Sequence, residues 1–230
     1  MYVDASGQTI GELLAANFFI VPSYQRPFSW RSSSQVRDFW NDLVAARETR
    51  QPHYYFGSVL FAGERKSGLR RIVIDGQQRL ATLVIYLAAT RDVLKTDRTL
   101  DGEARDRKLR LIETKLAGFD GSSELTRVVL GPHDQSYFEH LVFASQAASS
   151  GLGPDPSVVS KGIKNAYVLL KRELTTACDQ HGIERVLELL ETLLNVFLVV
   201  KIESPTTMDA QVVFEAVNDR GLALTPAELV

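Results

Sequence analysis

Cysteine occurs once in the 230 residues, at position 178, and methionine and tryptophan occur twice each. A single cysteine excludes a disulfide framework and any cluster of thiolate metal ligands. Cys178 follows Leu174 by one helical turn, a setting that reads as a buried and inert thiol. The four histidines, His53, His133, His140 and His181, are scattered without metal-ligand spacing, so no zinc site is expected. No stretch of about 18 uninterrupted apolar residues suggests a membrane span, and the N-terminus lacks a basic region leading into an apolar run. The chain is therefore read as cytoplasmic, without a membrane partner. An excess of charge of one sign is also missing: 26 Lys and Arg oppose 28 Asp and Glu, for a formal net charge of −2. Such a chain does not coat DNA through its overall field, and any contact with nucleic acid has to come from local patches. The Walker A pattern is absent, which excludes a P-loop nucleotide site.

What is present is enough apolar content, 45% of residues, to bury a full core. The length suits one large domain or one domain with an inserted helical part. The chain is organised around Arg71-Ile72-Val73-Ile74-Asp75-Gly76-Gln77-Gln78-Arg79-Leu80. Ile72 to Ile74 is a β-branched run of the kind that makes a buried strand, and Leu80, Leu83, Val84 and Leu87 recur at helical spacing. A strand thus turns into a helix at Asp75 to Arg79. Gly76 supplies backbone freedom there, and the unpaired N–H groups of a helix start favour an anion. Arg79 adds a planar fork suited to phosphate oxygens, and Asp75 a carboxylate able to hold a metal ion or a water. The plainer alternative is a sharp turn with a surface Arg and two solvated Gln.

Around this centre, Ile10, Leu13 and Leu14 predict a first helix, and Phe18 to Val21 a strand ending at Pro22. Pro22 to Trp30 is then a loop whose Tyr24, Phe28 and Trp30 alternate with Gln25 and Arg26, a mixture that stacks on bases or hydrogen-bonds phosphate. Equally, the aromatics could plug the core. Ser34 is expected to cap a helix with Val36, Phe39, Trp40, Leu43 and Val44 on its apolar face. Tyr54 to Ala62 reads as a strand in which Gly57 and Ser58 allow close backbone approach, joined by a polar connection over Gly63 to Gly68 to the central strand. Asp97 to Arg110 reads as a charged loop leading into a helix through Leu109, Ile112 and Leu116. A short strand is expected at Val128 to Leu130, a helix start at Asp134 to Phe143 and a surface loop at Ala147 to Pro156. Helices over Val158 to Ala177 and Ile183 to Asn195 precede a strand at Val196 to Ile202 and a helix at Met208 to Val217. Thr225, Pro226 and Glu228 mark one more helix start, and because Val230 follows within a turn, the chain is expected to be a fragment of a longer protein.

Three stretches together carry a resemblance: Phe19-Ile20-Val21-Pro22-Ser23-Tyr24-Gln25-Arg26-Pro27-Phe28-Ser29-Trp30, the Asp75 to Arg79 turn, and Phe214-Glu215-Ala216-Val217-Asn218-Asp219-Arg220-Gly221-Leu222-Ala223-Leu224-Thr225-Pro226-Ala227-Glu228-Leu229. In this order they resemble the N-terminal domain of the GmrSD-type modification-dependent restriction enzymes, a domain similar in fold to ParB and sulfiredoxin and found also in SspE nucleases that act with DNA phosphorothioation. One departure is Ala81, where the family pattern usually has Thr. The resemblance implies a mixed α/β domain spanning 1–230, with a ParB-like core at about 1–95 and 196–230 around a helical insertion at about 100–195. It also implies a missing C-terminal region with an HNH-type nuclease motif, and no H-N-H triad occurs in the sequence given.

The functions it implies fall into three classes. In the first, the domain hydrolyses GTP or another NTP with Mg²⁺. Gly76 and Gln77 would contact phosphate through main-chain N–H groups, with Ser58 nearby, and Arg79 would neutralise charge. Asp75 would orient Mg²⁺ or the attacking water, Gln78 would position water, and Asn218 and Arg220 would approach from the C-terminal block. In the second, Tyr24, Gln25 and Arg26, with Phe28 and Trp30, sense modified DNA, either a phosphorothioate or a decorated cytosine. The third is a ParB-like nuclease with Asp75 as metal ligand and Glu64 or Asp219 as the second acid. The first two are compatible, and the expected protein couples NTP hydrolysis to modified-DNA sensing in anti-phage defence, controls a nuclease region of the same protein, and is a candidate homodimer.

Overall fold

The computed structural model describes residues 4–62, 69–119, 123–144, 160–204 and 206. The expected connection at 63–68, the loop at 147–156, the helix at 208–217 and the block carrying Asn218, Asp219 and Arg220 lie outside these residues, as does Glu64.

The chain folds as mixed α/β. β1 (Asp4–Thr9) leads into α1 (Ile10–Ala16), whose start is fixed by a reciprocal box in which Thr9 and Glu12 exchange hydrogen bonds. β2 (Phe18–Ile20) follows, then the loop to α2 (Gln35–Glu48), β3 (Tyr54–Ala62), β4 (Arg70–Asp75) and α3 (Gln77–Thr96). The rest comprises α4 (Gly102–Leu116), a ribbon of β5 (Ala117–Phe119) and β6 (Glu124–Thr126), β7 (Val128–Val129), α5 (Pro132–Val142), α6 (Lys161–His181), α7 (Ile183–Asn195) and β8 (Phe197–Ser204).

The main sheet has six strands in the order β1-β8-β3-β4-β2-β7. β8 runs parallel to β3, β3 antiparallel to β4, and β4 parallel to β2, with β7 added parallel on the far edge of β2. The stretch between 100 and 195 therefore supplies an edge strand as well as helices. α3 is the axial helix. Leu80, Leu83, Val84 and Leu87 are buried as their spacing predicts, yet the small Ala81, Thr82, Ala88, Ala89 and Thr90 are buried too, so neighbours pack on every side. The helical face of the sheet carries the main core, and the opposite face a small cluster of Leu60, Ala62, Val200 and Ile202.

Four local expectations are corrected. β4 is buried only at Val73; Ile72, on the opposite pleat, is 38% exposed. Ser34 does not cap α2 through its side chain, because its hydroxyl donates to Gln35 Oε1 instead. The charged stretch after Asp97 is already helix from Gly102, since the Asp101 carboxylate accepts the N–H groups of Glu103 and Ala104, and Glu103 pairs with Arg107 one turn on. Cys178 is partly rather than fully buried, and burial, followed by nearby Asp97, Asp179 and Glu184, pushes its thiol up, so it stays protonated at neutral pH. No helix among the described residues is long and apolar enough to cross a membrane.

Candidate functional site

β4 ends at Asp75, and Gly76 takes φ +94°, a conformation that only glycine adopts without strain, to aim the chain into α3. A Cβ on Gly76 would lie 2.6 Å from Val59 Cγ1 and 3.2 Å from Ser58 O, so the turn also needs a residue without a side chain. Among the described residues, none accepts a hydrogen bond from the backbone N–H of Gln77, Gln78 or Arg79, and the first turn of α3 holds no acidic side chain. The helix start thus offers unpaired N–H donors to the cleft, with the Asp75 carboxylate at its edge.

Arg79 lies along β3. Its Nη1 donates to Ser58 O at 2.9 Å and stands 3.8 Å from Asp75 Oδ2, with both side chains half-exposed. Room for the guanidinium comes from Gly57, at φ +116° beside a register shift in the pairing of β3 with β8. A Cβ there would sit 2.7 Å from Arg79 Nε. Gly57→Ala is therefore expected to displace Arg79 and to strain the bulge, destabilising the fold by about 1–3 kcal/mol. A urea midpoint unchanged from wild type would refute this.

Across from the turn runs the loop of residues 22–30, bound to it by side-chain amides. Gln25 Nε2 donates to Val73 O and Ile74 O at 2.8 and 3.0 Å, and Gln77 Nε2 to Arg26 O at 3.2 Å. Gln78, only 7% exposed, accepts from the N–H groups of Ser29 and Trp30 and donates to Pro27 O. Loop and turn enclose a cleft of about 470 Å³, lined on the loop side by Tyr24, Gln25, Arg26 and Trp30 and on the turn side by Ile74 to Arg79. Tyr24 is 75% exposed and Arg26 is exposed, whereas Phe28 and Trp30 turn inward, Trp30 edge-on to Phe56. Behind the loop a second cleft of about 280 Å³ opens between Phe28 and the start of α5.

A model of the GmrSD restriction endonuclease N-terminal domain matches residues 8–230. The chain belongs to this family. A search of curated proteins finds no match. Membership in a restriction endonuclease family implies DNA as the substrate of the enzymes this domain belongs to.

Within this GmrSD domain the structure brings Tyr24, Gln25, Arg26, Trp30, Asp75, Gly76, Gln77, Gln78 and Arg79 onto one cleft, with Ser58 reached through Arg79. Phe28 lies on the second cleft, and Asn218 and Arg220 fall outside the described residues. Among the described residues no group of three His, Cys, Asp or Glu side chains is placed to hold a metal ion. Sequence reasoning passed over Asp134. Its buried carboxylate accepts the Phe28 N–H at 2.6 Å, but at the third position of a helix opened by Pro132 it reads as an ordinary helix-start acid. Its partner lies 106 residues away.

Proposed function

We propose that the GmrSD domain binds and hydrolyses GTP or another NTP in the 470 Å³ cleft and reads modified DNA, in the first instance a phosphorothioate, at the cleft's rim. The observation that carries this reading is the convergence of the α3 amides, Arg79 and the Tyr24–Arg26 rim on one opening.

Phosphoryl transfer needs positioned charge more than covalent chemistry. The N–H groups of Gln77, Gln78 and Arg79 supply fixed donors for phosphate oxygens, and Arg79, held by Ser58 O, offers its remaining N–H groups to developing charge. Asp75 would be the residue to hold Mg²⁺, an ion that keeps waters and needs only one or two protein carboxylates, and the ion would offset phosphate charge. The Gln78 carboxamide is committed to the loop, which makes it a positioning group in this scheme rather than one that holds water. At the rim, the exposed ring of Tyr24 beside Arg26 suits sulfur, which is larger, softer and a poorer hydrogen-bond acceptor than the oxygen it replaces.

A reading as a DNA-binding module without hydrolysis has its own support: Arg79 already bonds a protein carbonyl, and the Gln78 carboxamide holds three backbone groups of the loop. Phosphate release from each of the four NTPs, with and without phosphorothioated duplex, separates the two. Turnover stimulated by the modified duplex is expected; none with any NTP would leave the binding module. Tyr24→Ala is expected to reduce discrimination between modified and plain duplex at matched salt, by about the 0.3–1.5 kcal/mol of one sulfur–aromatic contact. Equal binding of both duplexes by the wild type would remove the sensing role.

A further inference from the structure

The loop of residues 22–30 is mounted from two sides, and only one mount belongs to the Asp75–Arg79 turn. Pro27, Ser29 and Trp30 are gripped by Gln78. Phe28, between them, turns the other way, and its N–H is taken by Asp134 Oδ2 at 2.6 Å. Asp134 is 3% exposed, and its other oxygen lies 3.3 Å from Nδ1 of the solvent-facing His133. The Phe28 carbonyl and ring press against Gly162 of α6, where an added Cβ would come within 3.0 Å of the carbonyl oxygen and 3.1 Å of the ring.

α5 is itself held at its far end. Arg91, fully buried in α3, donates to Leu141 O at 2.9 Å and to Val142 O, the last carbonyls of α5. Hydrogen bonds therefore close a ring: from α3 through Arg91 to the end of α5, along α5 to Asp134, across to Phe28, and back through Gln78 to the start of α3. The loop is one side of a braced frame.

We propose that Asp134 is a positioning residue that sets Pro27 to Trp30 so that the Tyr24–Arg26 rim meets DNA in a fixed geometry, with α5 as its strut. This rests on the reading of that rim as the DNA-facing surface. The chemistry is specific, because a carboxylate bonded to a backbone N–H in a buried setting has no equal substitute: Ala leaves the N–H unpaired, while Asn keeps an acceptor oxygen without the charge.

The test uses the 230-residue chain, a duplex carrying a phosphorothioate and the same duplex without it, at one salt concentration. In Asp134→Ala the affinity for the modified duplex is expected to fall about tenfold or more, the scale of one lost charge-assisted hydrogen bond. Hydrogen exchange is expected to accelerate at Phe28 to Trp30 while the amides in the middle of α3 stay protected. Asp134→Asn should lose less than Ala, and it carries the test if the Ala variant does not fold. Unchanged exchange at Phe28, or exchange raised alike throughout the sheet, overturns the mount. Faster local exchange with unchanged affinity, or equal losses in Ala and Asn, overturns the positioning role. If the wild type binds neither duplex, the reading of the rim has failed and the positioning role falls with it, whereas the exchange data report on the clamp independently.

Discussion

Arg79→Ala is expected to lower nucleotide turnover about a thousandfold, the scale at which removing a charge-stabilising arginine slows phosphoryl transfer. Arg79 is the one cation on the turn side of the cleft among the described residues, and its carbonyl partner Ser58 O carries no formal charge to offset it. Its pairing with Asp75 is long, 3.8 Å between half-exposed groups, so approaching phosphate competes with a weak contact. The fold should survive the substitution, because what remains at Ser58 is a carbonyl that water can reach and Gly57 loses only a covering side chain. Arg79→Lys is a sharper control. A lysine keeps the charge but loses the fork that bonds Ser58 O and phosphate together, and an intermediate loss is expected. Initial rates of phosphate release, alongside a urea transition to confirm folding, check both variants. A folded Arg79→Ala that turns over nucleotide at the wild-type rate would remove Arg79, and with it the hydrolytic reading of this cleft.

How legible these features are in the sequence depends on how local their cause is. The strand-to-helix turn is visible because each signal lies within about one helical turn of the next: β-branched residues, then Gly76, then leucines at helical spacing. The loop is visible through Pro22 and Pro27, and the strand Tyr54–Ala62 agrees to the residue. The start of α4 is masked by its charges, which suggest a solvated loop, although Glu103 and Arg107 stand at the spacing that supports a helix. The exposure of Ile72 is hidden because a β-branched run does not reveal whether both faces of a sheet are covered. Hidden altogether were the long-range polar contacts. Nothing near Asp134 announces Phe28, and nothing near Gln78 announces that its carboxamide would hold three backbone groups of a distant loop. Such partners follow from tertiary placement, which no window of sequence contains.

Arg91 is the extreme of that class, and it carries the largest expected effect on stability. In sequence it is a charged residue near the end of a helix; in the fold it is fully buried, paired with Asp92 Oδ1 at 2.8 Å and closing the end of α5. Asp92 in turn accepts the Tyr167 hydroxyl at 2.6 Å, and burial, then this hydrogen bond, pushes that hydroxyl's pKa up, so it remains a donor across the physiological range. The guanidinium thus satisfies two carbonyls and a partly exposed carboxylate from a fully buried position. Arg91→Ala strands both carbonyls, leaves Asp92 with only Tyr167 among the described residues and opens a cavity, and a loss of about 3–5 kcal/mol is expected, comparable with the entire stability of a marginal domain. Arg91→Lys should recover little, since one ammonium cannot span two carbonyls and a carboxylate as the planar fork does. Because α5 carries Asp134 at its other end, a surviving Arg91→Ala chain should also show faster amide exchange at Phe28, far from the substitution. Urea unfolding within 1 kcal/mol of wild type would show that the buried arginine is replaceable, and the braced frame would then lose the corner that holds α5 to α3.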